Sequence, residues 1–437
     1  MQLAIAIVLI GVVFVLENAP KEPIEGCLLH VLLVLVASAS VVGFAMIGSM
    51  AISFCGECTT SQESTVTSTR RVRAFHIALW IAASGAILYG LGWTQIVRFN
   101  WQLDGTFLLD ELLVFAPVLL PLIFSWAAFF YADRWAYGNH YEKGLMHHLI
   151  LHARHHLVLI LIPIFLILAA HDLVGLSASR GVWMNTTYAG ALSLLLISFP
   201  FILRLIWQTE PLRASRIRER LVRTSQQVDL KYRELLIWKS DDRIVNAAVA
   251  GIVAPLRYVF LSDGLLRYLT PGEIEAVFLH EAAHVRRRHV WWRLLAFTPP
   301  ILIWLIRNRL VSQPQPLSTD LCWAIGVFLY ATIALCLVSR RLEFDADQWA
   351  LQQIQRMPHE IGERHLFTAL EKLARVGAGR NHNSWLHPSV AQRVAMLESA
   401  LRDPTISRVL QYRTNILCWC LLMTFAAALT VMIVVSN

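Results

Sequence analysis

The stretch TPGEIEAVFLHEAAH, residues 270–284, reads as one capped helix that ends in two histidines flanking a glutamate. Thr270 can cap, Pro271 is tolerated in a first turn, and Glu273 completes a capping box. On a helix His280 and His284, four residues apart, stand one turn apart on a single face. One rigid element can therefore supply two ligands to one metal ion. Zinc suits imidazole nitrogens at about 2.0–2.1 Å, and a catalytic site keeps a fourth position for water. Glu281 can reach that water as general base, so the expected cofactor is one Zn2+ and the expected chemistry is hydrolysis. The helix is expected to run on to Trp292. Just upstream, Arg257-Tyr-Val-Phe-Leu-Ser262 reads as a strand closed by the turn pair Asp263-Gly264.

Outward from this stretch the chain turns apolar. Of its 437 residues 56% are hydrophobic and 16% charged, against roughly 25% charged in soluble domains. No Asp, Glu, Lys or Arg occurs between Glu25 and Glu57, Arg73 and Arg98, Glu111 and Asp133, or Arg180 and Arg204. Each gap exceeds the roughly 20 residues a helix needs to cross the hydrocarbon layer. Shorter apolar runs at 1–16, 157–170 and 294–306 and longer ones at 321–339 and 414–437 bring the expected spans to nine. The expected organisation is a six-helix membrane bundle over 1–208 and a catalytic domain over 209–412 interrupted by a membrane hairpin at about 291–339. A last membrane helix over 413–437 closes it. Basic residues set the orientation. Arg70, Arg71 and Arg73, and the run from Arg204 to Arg223, fall on one side and define it as cytoplasmic. The HEAAH helix is expected on that side of the cell membrane.

A third ligand must come from elsewhere. A histidine six residues after His284 with glycine at the third would extend the helix scheme, but Val290 and Arg287 stand there. The best acid is Glu343 in SRRLEFDADQWA, residues 339–350, which follows a span and returns to the predicted face of HEAAH. Asp347, one turn on, could accept the ring N–H of a ligand histidine. A plain acidic helix end, in which Asp345 would be equivalent, is the competing reading.

The strand ending in Ser262-Asp-Gly-Leu-Leu266, HEAAH, the Glu343-x-x-x-Asp347-x-x-Ala350 pattern, and Leu386-His387-Pro388-Ser389 with Arg393 six residues after His387 together resemble the CAAX prenyl protease and HtpX family of integral-membrane zinc metallopeptidases, over roughly 240–400. The resemblance implies a mainly α, polytopic membrane protein with a zincin-like α+β catalytic domain and a short sheet. It implies Glu343 as third zinc ligand, Asp347 behind the ligands, and His387 and Arg393 placing substrate or stabilising the oxyanion. It also implies that Arg257 to Ser262, with Tyr258 and Phe260, is an edge strand that pairs with an extended substrate, and that Asn246 in Asn246-Ala247 belongs to the same substrate-binding region. The expected partners are a peptide or membrane-protein substrate and the bilayer. The first six helices lie outside the resemblance.

Other readings compete less well. The net charge of +8 sits largely beside spans, where anionic lipid is the nearer partner, and no nucleic acid is expected. His140, His147, His148, His152, His155 and His156 include one HxxHH element of membrane di-iron oxygenases, which need several such clusters. A signal-transducing peptidase of the antibiotic-sensor type would carry a long outside segment. Cys55 and Cys58 form half a metal knuckle without its other half.

Overall fold

The fold is described from a computed structural model, over residues 2–58, 62–137, 144–175, 182–240, 242, 244–311, 317–357, 361–376 and 386–436. Among these residues seven helices are long and apolar enough to cross a membrane: Cys27–Phe54, Ser68–Gly90, Leu109–Ala132, Leu145–Leu173, His289–Arg307, Thr319–Arg356 and Thr405–Val435. Two shorter apolar helices, Ala4–Leu16 and Gly190–Ile206, occupy the remaining positions of the nine expected from sequence. The chain divides into two compact units, Met1–Ser198 and Phe199–Asn437.

The first unit contains α1 (Gln2–Asn18), α2 (Cys27–Cys58), α3 (Gln62–Gly85), the single turn α4 (Trp93–Gln95), α5 (Leu109–Tyr137), α6 (Leu145–His152) and α7 (Leu159–Gly175). Much of α8 (Val182–Ile206) also belongs to it. Leu32, Leu35, Val36 and Ile47 of α2 are exposed, as expected of a surface that faces lipid. Inside, Leu9 and Val12 of α1 pack with Trp80, Ile96, Phe115 and Leu122. Pro117 and Pro121 of α5 lack the N–H groups that would pair with the carbonyls of Leu113 and Pro117. Those carbonyls instead accept from the Trp93 indole at 3.0 Å and the Ser38 hydroxyl at 3.3 Å. Arg98 is pinned by Asp110 at 2.6 Å and by the Leu16 carbonyl at 2.5 Å.

The second unit builds a four-stranded sheet from β1 (Thr209–Pro211), β2 (Glu234–Trp238), β3 (Ala247–Ala250) and β4 (Tyr258–Ser262), in the order β1-β2-β4-β3. β2 and β4 are parallel, with Leu236 opposite Phe260, and the two outer pairs are antiparallel. Helices α9 (Arg216–Gln227), α10 (Asp263–Tyr268) and α11 (Pro271–Arg286) accompany it. The expected Asp263-Gly264 turn is the first turn of α10, because the Ser262 hydroxyl caps the Leu265 N–H. The chain continues through α12 (His289–Leu310), α13 (Leu317–Arg356), α14 (Glu363–Val376), α15 (Val390–Arg402) and α16 (Pro404–Ser436). The core joins Val259 and Leu261 of the sheet, Leu221 of α9, Ile274, Phe278, Leu279 and Ala282 of α11, Leu351 and Ile354 of α13, Leu366 and Leu370 of α14, and Leu397 of α15. α11 thus packs on the sheet beside β3, with α9, α13 and α14 on its other sides.

α13 has 40 residues and runs about 60 Å. Its apolar first half is a membrane span, and its charged second half, beginning at Arg340, is a direct extension of the same rod. Continuity with a membrane helix is what fixes the height and azimuth of Glu343.

Candidate metal centre

The two histidines are placed by the burial of α11. Its start is locked by the Thr270 N–H donating to Glu273 at 2.7 Å, with Lys372 at 2.7 Å on the same carboxylate. Ala282 and Ala283 are fully buried. His280 and His284 then stand together, ring centroids 5.1 Å apart and planes at 85°. A ligating atom of Glu281 lies within 4.8 Å of those of both rings.

α13 brings the third group. Glu343 is 2% exposed, with Oε2 3.6 Å from His280 Nε2 and Oε1 3.6 Å from His284 Nε2. These separations are too long for hydrogen bonds. Bonds of about 2.0–2.1 Å to one tetrahedral ion place two donor atoms roughly 3.3 Å apart. Two imidazole nitrogens, each 3.6 Å from a different oxygen of one carboxylate, therefore fit a three-ligand zinc site with an open fourth position. Glu343 also accepts from Arg293 of α12 at 3.0 Å and lies 3.1 Å from Nδ1 of the half-exposed His387.

Behind His280, its Nδ1 is 2.8 Å from Asp347, which is wholly buried. Arg393 of α15 grips the same carboxylate through Nη2 at 2.5 Å and Nε at 2.7 Å. Behind His284, its Nδ1 is 2.8 Å from Nδ1 of His289, whose Nε2 is 3.0 Å from Asp345. Arg287 holds Asp345 with two bonds of 2.9 Å.

Burial pushes the His280 ring down, but the Asp347 charge and the contacts with Asp347 and Glu343 together outweigh it, and the net position is about 9. Burial holds His284 well below its usual range. The Glu281 carboxyl is pushed up to about 6, chiefly by burial.

The comparisons with known proteins fall on this part of the chain. Residues 211–401 match the model of Peptidase family M48. A protease HtpX homolog of Methylibium petroleiphilum is 30% identical over 181 residues, 35% of this chain and 60% of that protein. Protease HtpX of Glaesserella parasuis is 27% identical over 240 residues, 50% of this chain and 82% of that protein. The chain thus spans less than two thirds of the length of the Methylibium relative and more of the Glaesserella one. The crystal structure of S. mikatae Ste24p shares the fold with a TM-score of 0.51 at 15% identity, covering 86% of this chain and 99% of that one. M48 domains are those of metallopeptidases, and His280, Glu281, His284, Glu343, Asp347, His387 and Arg393 all lie within the matched residues.

Two sequence expectations need correction. In the sheet β4 lies between β2 and β3, so Arg257 to Ser262 is not an edge strand and its backbone pairs on both sides. Tyr258 and Phe260, 1% and 0% exposed, are packing residues. Arg204 lies over the Tyr258 ring and Trp207 packs edge-on to Phe260, itself stacked on Trp238. The edge next to α11 is β3, and exposed Asn246 directly precedes it. Second, α11 stops at Arg286 and does not reach Trp292. Arg288 takes φ of +57° and starts the chain afresh as α12.

Sequence reasoning missed Arg287, His289 and Arg293. The triple arginine before a histidine was the available signal, but its meaning depends on a helix break that no glycine or proline announces. In the first unit, His148, His152 and His156 run along one stripe of α6 and the π-helical turn Ala153–Val158. Their rings stack at 4.0 and 5.6 Å and lie against Phe130 and Trp126. His140 lies outside the described residues.

Proposed function

We propose that the chain is a multi-pass zinc endopeptidase of the cell membrane, with its site on the cytoplasmic side, that hydrolyses peptide bonds in membrane-associated or lipidated proteins. The observation that carries this reading is the meeting of Glu343, from the extension of a membrane helix, with both HEAAH imidazoles at 3.6 Å. His280, His284 and Glu343 are the groups that would hold zinc. When bound, zinc supplies a Lewis acid that polarises the scissile carbonyl and acidifies water.

The chain's own residues do the rest. Glu281, its carboxyl at about 6, is ionised near neutrality yet close enough in affinity to take a proton from the attacking water and pass it to the leaving amine. Asp347 accepts the Nδ1 proton of His280, which leaves Nε2 as the donor atom, and Arg393 holds Asp347 in place. Arg393 is therefore a positioning residue, since Nε and Nη2 both donate to Asp347 and Nη2 also lies 3.3 Å from His280 Nδ1. His387, at the open side of Glu343, is placed to donate to the oxyanion. An extended substrate would add to the free edge of β3 beside α11, where main-chain pairing gives affinity and Asn246 adds a polar contact. Lipidated or membrane-bound substrates suit a site built on membrane helices, and the resemblance to CAAX prenyl proteases supports the same class.

The test is metal analysis and peptide-library cleavage in detergent for the wild type and Glu281→Gln. One zinc in both, with cleavage only in the wild type, is expected; full cleavage by Glu281→Gln would reject Glu281 as base.

A further inference from the structure

His280 and His284 are aimed by different devices. His280 reaches a carboxylate directly, because Asp347 lies on the same face of α13 as Glu343, one turn on. Asp345 lies between them in sequence, about 200° round the helix from each, and looks another way. It meets the start of α12.

We infer that His289, held by Asp345 and Arg287, is a positioning residue that fixes His284 in the Nδ1–H form and so aims the His284 Nε2 lone pair at the metal position. The inference rests on the proposal that His284 is a ligand. Its logic is the direction of each hydrogen bond. Two bonds of 2.9 Å from Arg287 keep Asp345 an ionised acceptor. The 3.0 Å contact then requires His289 Nε2 to be the donor. In a neutral ring, Nδ1 of His289 is left as an acceptor. The 2.8 Å contact between the two Nδ1 atoms requires one donor and one acceptor, so His284 Nδ1 carries the proton. His284 Nε2, facing Glu343 at 3.6 Å, is left with its lone pair.

The helix break serves this arrangement. On an unbroken helix His289 would lie about 140° round from His284 and about 7.5 Å further along the axis, out of reach. The left-handed residue Arg288, at φ +57°, folds His289 back over α11. A non-glycine residue there costs on the order of 1 kcal/mol, and strain of this kind gathers at functional sites. His289 is 1% exposed and Asp345 3%, so water does not compete for either bond.

The test is zinc affinity by chelator competition on the full-length protein in detergent, with the visible spectrum of the cobalt-substituted protein as a report on ligand geometry. His289→Leu is expected to weaken zinc by roughly 10–100-fold and change the cobalt spectrum. His289→Asn, which keeps an acceptor at the Nδ1 position, is expected to recover most of that affinity. Arg287→Gln, which keeps an amide donor beside Asp345, should weaken zinc severalfold. Wild-type affinity and spectrum in both His289→Leu and Arg287→Gln would overturn the inference, and so would equal losses in His289→Leu and His289→Asn. Failure of the wild type to bind zinc would instead remove the ligand assignment itself, and this inference with it.

Discussion

Two helices in this chain carry histidines at four-residue spacing, and they do different things with them. On α11, His280 and His284 face a buried carboxylate delivered by α13, and each ring is held from behind by its own chain of partners. On α6 and the turn that follows, His148, His152 and His156 stack on one another and on Trp126 and Phe130. Among the described residues, the only group of three or more His, Cys, Asp or Glu side chains close enough to hold an ion is His280, Glu281 and His284. Spacing along one helix supplies two donors; a metal centre needs a third from a different element, arriving where the lone pairs already point.

The largest expected effect breaks the comparison at that third donor. Glu343→Ala should lose zinc by more than the roughly 100-fold of outer-shell changes and lose cleavage with it, whereas the double variant His148→Ala, His152→Ala should keep one zinc and wild-type cleavage. Metal content of both proteins measured side by side decides it. Loss of zinc from the α6 variant alone would invert the assignment.

A second effect concerns support behind the ligands. Arg393→Leu leaves Asp347 buried without its cation and should destabilise the second unit by about 3 kcal/mol, read as a lowered midpoint of denaturant unfolding. An unchanged midpoint would mean that Asp347 is satisfied without Arg393.

These supports mark the limit of what the sequence discloses. Apolar runs, the capping box and the order of HEAAH, Glu343, Asp347, His387 and Arg393 are local patterns that the sequence displays directly. Three features are products of packing. β4 reads as an edge strand only until β2 joins it in parallel from 20 residues upstream. The second half of α13 reads as a separate soluble segment because its charge changes at Arg340, yet nothing there breaks a helix. The end of α11 reads as continuous because arginine is a good helix former, and the break at Arg288 becomes favourable only once His289 can meet Asp345 and His284.

A third, smaller effect is on pH. In the proposed mechanism Glu281 acts as a carboxylate, and burial raises it to about 6, so that form is lost as pH falls through that value. Cleavage should therefore drop about tenfold per unit below pH 6, well above the range of an exposed glutamate. An acid limb that persists unchanged in Glu281→Asp or lies near 4 would point to a different group. The smallest expected effect is the severalfold loss of zinc in Arg287→Gln, which separates support of His284 from support of His280.

The central claim is that one ion is held jointly by α11 and α13. Anomalous X-ray scattering at the zinc edge from crystals of the full chain tests it most directly. A single peak bonded by His280 Nε2, His284 Nε2 and the Glu343 carboxylate is predicted; a peak beside His148 and His152, or one at HEAAH with Glu343 out of bonding range, would contradict it.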